Sequence, residues 1–175
     1  FANHLELASV TISRCSVADS SLSYGGAVSA LSSSLLHTWS LKATDTIFSS
    51  NEASTEGGAL ALTGDHESVD AYSAVLASCT FSNNAARSEG ALGGALAATS
   101  CRIEVSHSEF QANNGATGSA IYHGGISPQP YSTIEASNFL GNLPPNSTVQ
   151  ADALIDWICF PGQYMLQAGP ADGDF

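Results

Sequence analysis

The 175 residues are the length of one domain, and 43% of them are hydrophobic, which is enough for a buried core. Four Lys and Arg against sixteen Asp and Glu leave a formal net charge of −12, which argues against nucleic acid or an anionic membrane as a partner. The sequence contains no signal peptide and no apolar run long enough to span a bilayer. We expect the chain to be part of a longer protein.

A motif in two parts recurs along the chain. Its first part is Phe-x-x-Asn and its second is Gly-Gly-Ala followed by an aliphatic residue, most clearly in Phe81–Asn84 and Gly93–Leu96. The copies start at Val17, Phe48, Phe81, Phe110 and Phe139, with steps of 31, 33, 29 and 29 residues. Such a period indicates one supersecondary unit repeated five times.

Each unit contains short strands and no helical periodicity. Apolar side chains stand seven and five residues before each Phe position, a spacing of two that is the period of a strand. These pairs are Val10 and Ile12, Leu41 and Ala43, Ala74 and Leu76, Ile103 and Val105, and Ser132 and Ile134. A second short apolar run follows each Gly-Gly. A unit this small cannot bury its apolar face alone, so the units must stack.

The two end units depart from the motif. In the first, Val17 replaces the Phe and Ser20 replaces the Asn, while Leu5 and Leu7 are expected to belong to the tail of a preceding coil. In the fifth, Asp152 takes the place of the glycines, and the run 153–158 is expected to close the end of the stack. Drift is expected at the ends because an end coil has fewer neighbours to match.

The sequence therefore predicts an all-β fold, a right-handed parallel β-helix of about five coils over residues 1–158. Residues 159–175 are expected to begin a cysteine-rich segment or a linker. Stacked Phe rings and Asn amides bonded between coils would form a structural ladder, with Asn in the left-handed conformation and Gly-Gly at the next corner. The ladder residues are Phe48, Phe81, Phe110, Phe139, Asn51, Asn84, Asn113 and Asn142.

An acidic stretch and a sequon are the candidate sites outside the ladder. Asp65, Glu67 and Asp70 could hold Ca²⁺, which prefers several oxygen ligands, but a solvated acidic turn is favoured because no calcium-loop spacing is present. Asn146-Ser-Thr is the one N-glycosylation sequon, in a loop that follows two prolines.

The four cysteines do not have the spacing of a structural metal site. Cys15 and Cys79 stand two residues before the core aromatic position of their units and are separated by a whole coil, so we expect two small buried core residues. Cys101 and Cys159 are the candidates for a disulfide.

With both motifs in view, a family resemblance becomes visible. The Phe-x-x-Asn copies start at Phe48, Phe81, Phe110 and Phe139, and the Gly-Gly-Ala-aliphatic copies at Gly25, Gly57 and Gly93. The alternation over residues 10–157 resembles the repeat of chlamydial polymorphic outer-membrane proteins and of surface proteins in other bacteria, algae and protists. The resemblance implies a β-helix of the pectin-lyase type, exported and displayed at the cell surface. It carries over no catalytic residue.

The tail has a resemblance of its own. Cys159-Phe-Pro-Gly-Gln-Tyr164 is similar to the opening of EGF-like or ephrin-receptor-like cysteine-rich repeats. Those repeats occur in eukaryotic extracellular proteins, so this similarity implies a eukaryotic extracellular parent.

We expect a non-catalytic structural or adhesive module of a large extracellular or cell-surface protein, alone or as a unit of a filament. Its expected partners are other extracellular proteins, copies of itself or glycans. The alternative is a polysaccharide lyase or hydrolase, which needs carboxylates on neighbouring coils. Asp45, Glu104, Glu109 and Glu135 lie near the strands before the Phe but at differing offsets, so the non-enzymatic interpretation is favoured.

Overall fold

The computed structural model describes residues 2–15, 24–32, 38–65, 71–125, 132–144, 148–151 and 155–158. Within these ranges the protein forms eighteen strands and no α-helix, and the strands pair in parallel. The prediction of an all-β parallel solenoid is confirmed.

The strands, numbered in chain order, form three long sheets and one short pair. The first sheet contains β1 (Ala2–Ala8), β4 (Thr38–Thr44), β8 (Tyr72–Ala77), β12 (Arg102–Ser106), β15 (Ser132–Glu135) and β18 (Ile155–Ile158). The second contains β2 (Thr11–Ser13), β5 (Ile47–Ser49), β9 (Thr80–Ser82), β13 (Glu109–Gln111) and β16 (Asn138–Leu140). The third contains β3 (Val28–Leu31), β7 (Leu60–Thr63), β11 (Leu96–Thr99), β14 (Ile121–Gly124) and β17 (Val149–Ala151). The short pair is β6 (Glu52–Ala53) and β10 (Ala85–Ala86).

Each coil supplies one strand to each long sheet in turn, as β4, β5 and β7 do before β8 begins the next coil. In the described part of the chain the second and third sheets have five strands each, which makes four steps from coil to coil. The molecule is therefore a solenoid of about four turns. Its right-handedness stays a prediction.

Like residues lie over like residues because the strands pair in register. Leu41 pairs with Leu5 on one side and with Ala74 on the other, and Leu60 pairs with Leu96. In the inner strands of the first sheet, alternate side chains point inward and are almost completely buried, as the alternating pattern of β8 shows. One continuous apolar core thus runs along the solenoid axis.

The first coil is offset from the predicted alignment. Strand register places Ile12, not Val17, beside Phe48, and it places Leu5 beside Leu41. The assignment of Leu5 and Leu7 to a preceding coil was therefore wrong, because they form the first-coil strand itself. The first step is 48−12=36 residues, and Val17 and Ser20 lie outside the described residues.

The fifth coil also differs from its predicted alignment. Val149 pairs with Ile121, so β17 is the third-sheet strand of this coil, not the run that begins at Ala153. Ile155 pairs with Ser132 and begins a sixth strand of the first sheet. Asp152 lies outside the described residues. Apolar content alone could not distinguish the end of one strand from the start of the next.

The strands of the second sheet are short because a residue in the left-handed conformation bounds them on each side. Asp45 (φ 48°) and Ser50 (φ 55°) flank β5, and Ser78 (φ 53°) and Asn83 (φ 57°) flank β9. The left-handed residue at the second bend is the one before the ladder Asn, so the prediction of a left-handed Asn was wrong. The Asn has its side chain inside the coil, where the amide makes hydrogen bonds.

The two glycines at the next corner serve different needs. The first has a positive φ, as at Gly57 (φ +58°) and Gly93 (φ +64°), where a Cβ would be strained. The second is required by close approach, since a Cβ on Gly94 would lie 2.1 Å from the carbonyl oxygen of Ser119 in the next coil. In the fourth coil Ser119 itself stands at this second position.

We predict that Gly94→Ala lowers the free energy of unfolding by about 2 to 3 kcal/mol, because its Cβ meets backbone atoms that can move only if the coils separate. Ser119→Ala, which changes the same corner position one coil later, should alter it by less than about 0.5 kcal/mol. Urea denaturation followed by circular dichroism measures both values. Equal losses in the two variants would contradict this account of the corner.

Candidate functional site

The most regular polar feature of the molecule is a column of buried asparagines, one per coil. Asn51, Asn84, Asn113 and Asn142 are each at most 2% exposed. The Nδ2 group of Asn84 donates to the carbonyl oxygen of Phe48 in the coil before and to Oδ1 of Asn113 in the coil after, both at 3.0 Å. Every bond of this group therefore joins neighbouring coils.

The amide oxygen is satisfied in the same way. Oδ1 of Asn84 accepts from the backbone N–H and from Nδ2 of Asn51, both at 3.0 Å. A buried Asn has two donor hydrogens and two acceptor lone pairs, and here all four are used. A fully satisfied buried network of this kind fixes the alignment of the coils, because any shift leaves buried polar groups unpaired.

Cys15 holds the ladder position in the first coil. Its backbone N–H donates to Oδ1 of Asn51 at 3.1 Å, and Nδ2 of Asn51 donates to the Ile12 carbonyl at 3.1 Å. Cys15 therefore stands three residues after its core residue, and the prediction that it matches Cys79 was wrong. Cys79 is a buried core residue and Cys15 is half-buried.

The Phe rings stack beside this column. Ring centroids are 4.8 Å apart between Phe48 and Phe81, 4.7 Å between Phe81 and Phe110, and 5.0 Å between Phe110 and Phe139. The planes are within 11° of parallel, and the spacing is that of neighbouring strands. The aromatic stack and the amide column therefore have the same repeat, because the Phe and the Asn are the first and last residues of one Phe-x-x-Asn motif.

A second polar column was missed by the sequence analysis. It lies two residues before each Phe, where Thr46 Oγ1 donates to the Thr44 carbonyl at 2.9 Å and Ser108 Oγ to the Ser106 carbonyl at 2.9 Å. The oxygen also accepts from the previous coil, as Ser108 does from Cys79 N–H at 3.1 Å. The sequence pattern that predicts this column is a small residue with a hydroxyl or thiol group two residues before each Phe. These residues are Thr46, Cys79, Ser108 and Ser137.

An aromatic pair lies near the first-coil end of the described structure. Trp39 and Tyr72 have ring centroids 5.8 Å apart, and Trp39 Nε1 donates to the Thr63 carbonyl at 3.0 Å. A cavity of about 280 Å³ lies beside them and is lined mainly by apolar atoms, including those of Leu5 and Leu31. Both leucines are exposed. This end offers apolar surface and few convergent polar groups.

The carboxylates of the enzymatic alternative do not share a column. Glu104 pairs with Thr133 and Glu135 with Ser106, so the two are offset along neighbouring strands, as their spacing predicts. Glu109 lies on the second sheet, and Asp45 lies at an exposed bend. Glu104 also forms an ion pair with Arg102 at 2.5 Å.

Most of the few cations are paired on the surface. Besides the pair of Arg102, Lys42 Nζ lies 2.7 Å from Glu6 Oε1, and Arg87 Nε lies 2.5 Å from Glu52 Oε1. All three pairs are exposed and contribute little to stability. These pairs leave the outer surface strongly acidic.

The other candidate residues are only partly covered by the described ranges. Asp65 is half-buried, whereas Glu67, Asp70, Asn146 and Cys159 lie outside the described residues. No group of three metal-ligating side chains occurs among the residues described. The calcium site and the glycosylation site therefore stay predictions.

Cys101 has a free thiol, and the structure does not show the predicted disulfide. Its side chain is completely buried, with Sγ 3.7 Å from the Leu62 carbonyl oxygen. Burial raises the pKa of this thiol to about 12. A thiol of this kind is protonated at neutral pH and reacts slowly while the coil stays closed.

No helix within the described ranges has the length and apolarity needed to cross a membrane.

We predict that Asn84→Ala lowers the free energy of unfolding by about 3 kcal/mol or more, because it breaks four bonds and leaves buried groups of the adjacent coils unpaired. Asn138→Ala, at an exposed position on β16, is the matched control and should change stability by less than about 0.5 kcal/mol. Guanidinium denaturation measures both. If the two variants were equally stable, the amide column would not be what aligns the coils.

One comparison with known families gives a match. The model of the Chlamydia polymorphic membrane protein (Chlamydia_PMP) repeat matches residues 45–63. That segment contains one copy of the motif, from the bend at Asp45 through Phe48, Asn51 and the Gly57 corner to the end of β7. No curated protein and no solved structure matches the chain. Over this segment the chain is similar to a polymorphic membrane protein repeat, and such a repeat fits a β-solenoid module of a surface protein.

Proposed function

We propose that this solenoid is a non-catalytic module of an extracellular or cell-surface protein, with a structural and adhesive role, alone or as a unit of a filament. The observation that carries the proposal is a division between inside and outside. The inward Phe and Asn columns repeat the same residues from coil to coil, and the Asn amides bond between coils. Outward positions of the second sheet vary more: one column holds Thr, Ile, Thr, Glu and Asn in successive coils, and the next holds Ser three times and then Gln and Leu. Such a molecule is a scaffold with a variable surface.

The outer face of the second sheet is the surface we assign to adhesion. One outward column contains Thr11, Ile47, Thr80, Glu109 and Asn138, and the next contains Ser13, Ser49, Ser82, Gln111 and Leu140. All are exposed or half-buried, and Glu109 is the one charged residue among the ten. Hydroxyl, amide and apolar groups without a strong charge can contact glycans or another protein, even on a chain of net charge −12.

Adhesion can be tested with beads that carry the purified chain. We expect the beads to clump with each other or to be retained on a glycan array, and Ile47→Glu with Thr80→Glu to lower that binding at least tenfold by adding charge to the face. Val75→Glu, on the outer face of the first sheet, is the control and should bind as the wild type does. Binding that is equally reduced in both variants would exclude the second sheet as the contact surface, and an absence of binding would count against the adhesive role.

The same proposal requires that the chain does not degrade polysaccharides. We expect no release of reducing or unsaturated ends from acidic and neutral polysaccharides over a pH series, because Glu104 and Glu135 do not face each other across one column. Activity that disappeared in Asp45→Ala or Glu104→Ala would overturn the proposal in favour of a lyase or hydrolase. Activity unaffected by both changes would point to a contaminating enzyme.

A further inference from the structure

A histidine is buried in the wall of the fourth coil. His123 lies on β14 in the inward column of Leu62 and Ala98, and its side chain is 0% exposed. The other coils have aliphatic or small residues at this position. His123 is therefore a titratable group in a place that the architecture otherwise keeps apolar.

The ring connects two neighbouring coils through one nitrogen. Nε2 lies 3.0 Å from the carbonyl oxygen of Cys101, at the bend before β12, and 3.1 Å from Oγ of Ser132, at the start of β15. Ser132 Oγ also accepts the backbone N–H of Ile103 at 3.0 Å. His123 and Ser132 thus hold together the bend of the fourth coil and the entry to the fifth.

The second ring nitrogen has no hydrogen-bond partner among the described residues. Nδ1 of His123 is buried and makes no bond to them. A neutral ring with its proton on Nε2 can donate to Cys101 and leaves only a lone pair unsatisfied at Nδ1. A protonated ring must place an N–H at Nδ1, where the described residues offer no acceptor, and an unpaired buried donor that carries part of a positive charge is costly.

The described residues around the ring offer no charge that would compensate. The bend before β12 presents the Cys101 thiol, which stays neutral because burial raises its pKa to about 12. β15 presents the neutral Ser132 hydroxyl, and β11 presents Ala98. Burial lowers the pKa of His123, the bond to the Cys101 carbonyl opposes this, and no charged side chain of the described residues contributes.

We propose that His123 is an acid-sensitive latch, whose protonation separates the fourth and fifth coils at β14 and β15 while the earlier coils stay folded. Local opening is expected because each coil of a solenoid contacts only its neighbours. In the open form Nδ1–H can bind water, and the bend at Cys101 loses the donor that Nε2 supplies.

The direction of the pH dependence follows from the lowered pKa. An unfolded histidine titrates near pH 6.5, so below that pH the open form binds a proton that the closed form does not. The opening equilibrium should rise by up to tenfold for each pH unit below about 6.5, until the pH reaches the pKa of the closed form. Glu56 lies in the second coil, and burial raises its pKa, so its protonation favours the folded form of that coil and does not drive opening at low pH.

Labelling of cysteines gives a local readout of this opening. The intact chain is treated with 4,4′-dithiodipyridine between pH 7 and pH 5, and the modified peptides are quantified by mass spectrometry. Cys79, which is buried at the bend before β9 in the third coil, is the internal reference, and the ratio of the two rates removes the intrinsic pH dependence of thiol chemistry. We expect the rate ratio of Cys101 to Cys79 to rise at least tenfold from pH 6.5 to pH 5.

Two variants separate His123 from other titrating groups. His123→Leu introduces a leucine, the residue that position 62 has in the same column. In this variant the rate ratio of Cys101 to Cys79 should be independent of pH. His107→Asn, at an exposed left-handed bend, should keep the wild-type rise. A flat ratio in the wild type, or a rise that persists in His123→Leu, would overturn the proposal. If His123→Leu does not fold, the proposal is tested on the wild type by following the ring proton resonances of His123 over the same pH range. If His123 titrates near pH 6.5 while Cys101 stays protected from labelling, the proposal is overturned as well.

Discussion

The need of a buried amide for four partners is the constraint on which this solenoid depends. Asn84 and Asn113 meet that need with the ladder amides and a Phe carbonyl of the neighbouring coils, so the coils can stack in only one register. The lengths of the coils are not fixed in the same way. The first step is 48−12=36 residues, whereas the later ones are 33, 29 and 29. Loops absorb the difference because only the ladder positions must coincide.

The same constraint explains which coils could be predicted. Phe81 and Asn84 have like residues on both sides, and the repeat identified their stacking and bonding from the sequence. In the first coil Ile12 and Cys15 stand in the columns of Phe and Asn, so the motif residues did not reveal the alignment of this coil. In the fifth coil Val149 begins the strand without a Gly-Gly before it. Motif matching fails where other residue types occupy the motif positions.

Hydrogen bonds that several residue types can make were also missed, because a search for repeated residues finds only identical ones. Thr46, Cys79 and Ser108 make the same contacts two residues before each Phe, but they share a function rather than an identity. His123 is the converse case. The inward alternation of β14 predicts that the side chain is buried, yet its partners Cys101 and Ser132 come from other segments and appear only once the coils are stacked.

The inside and the outside of the molecule differ in how well they tolerate substitutions. A change in the inward Asn column disturbs two neighbouring interfaces, because the Asn84 and Asn113 side chains bond to the coils on both sides. A change in an outward column of the second sheet, such as that from Thr80 to Glu109, disturbs neither. A solenoid of this kind can therefore alter its contact surface residue by residue at little cost in stability. That tolerance is the property that the adhesive module proposed above requires.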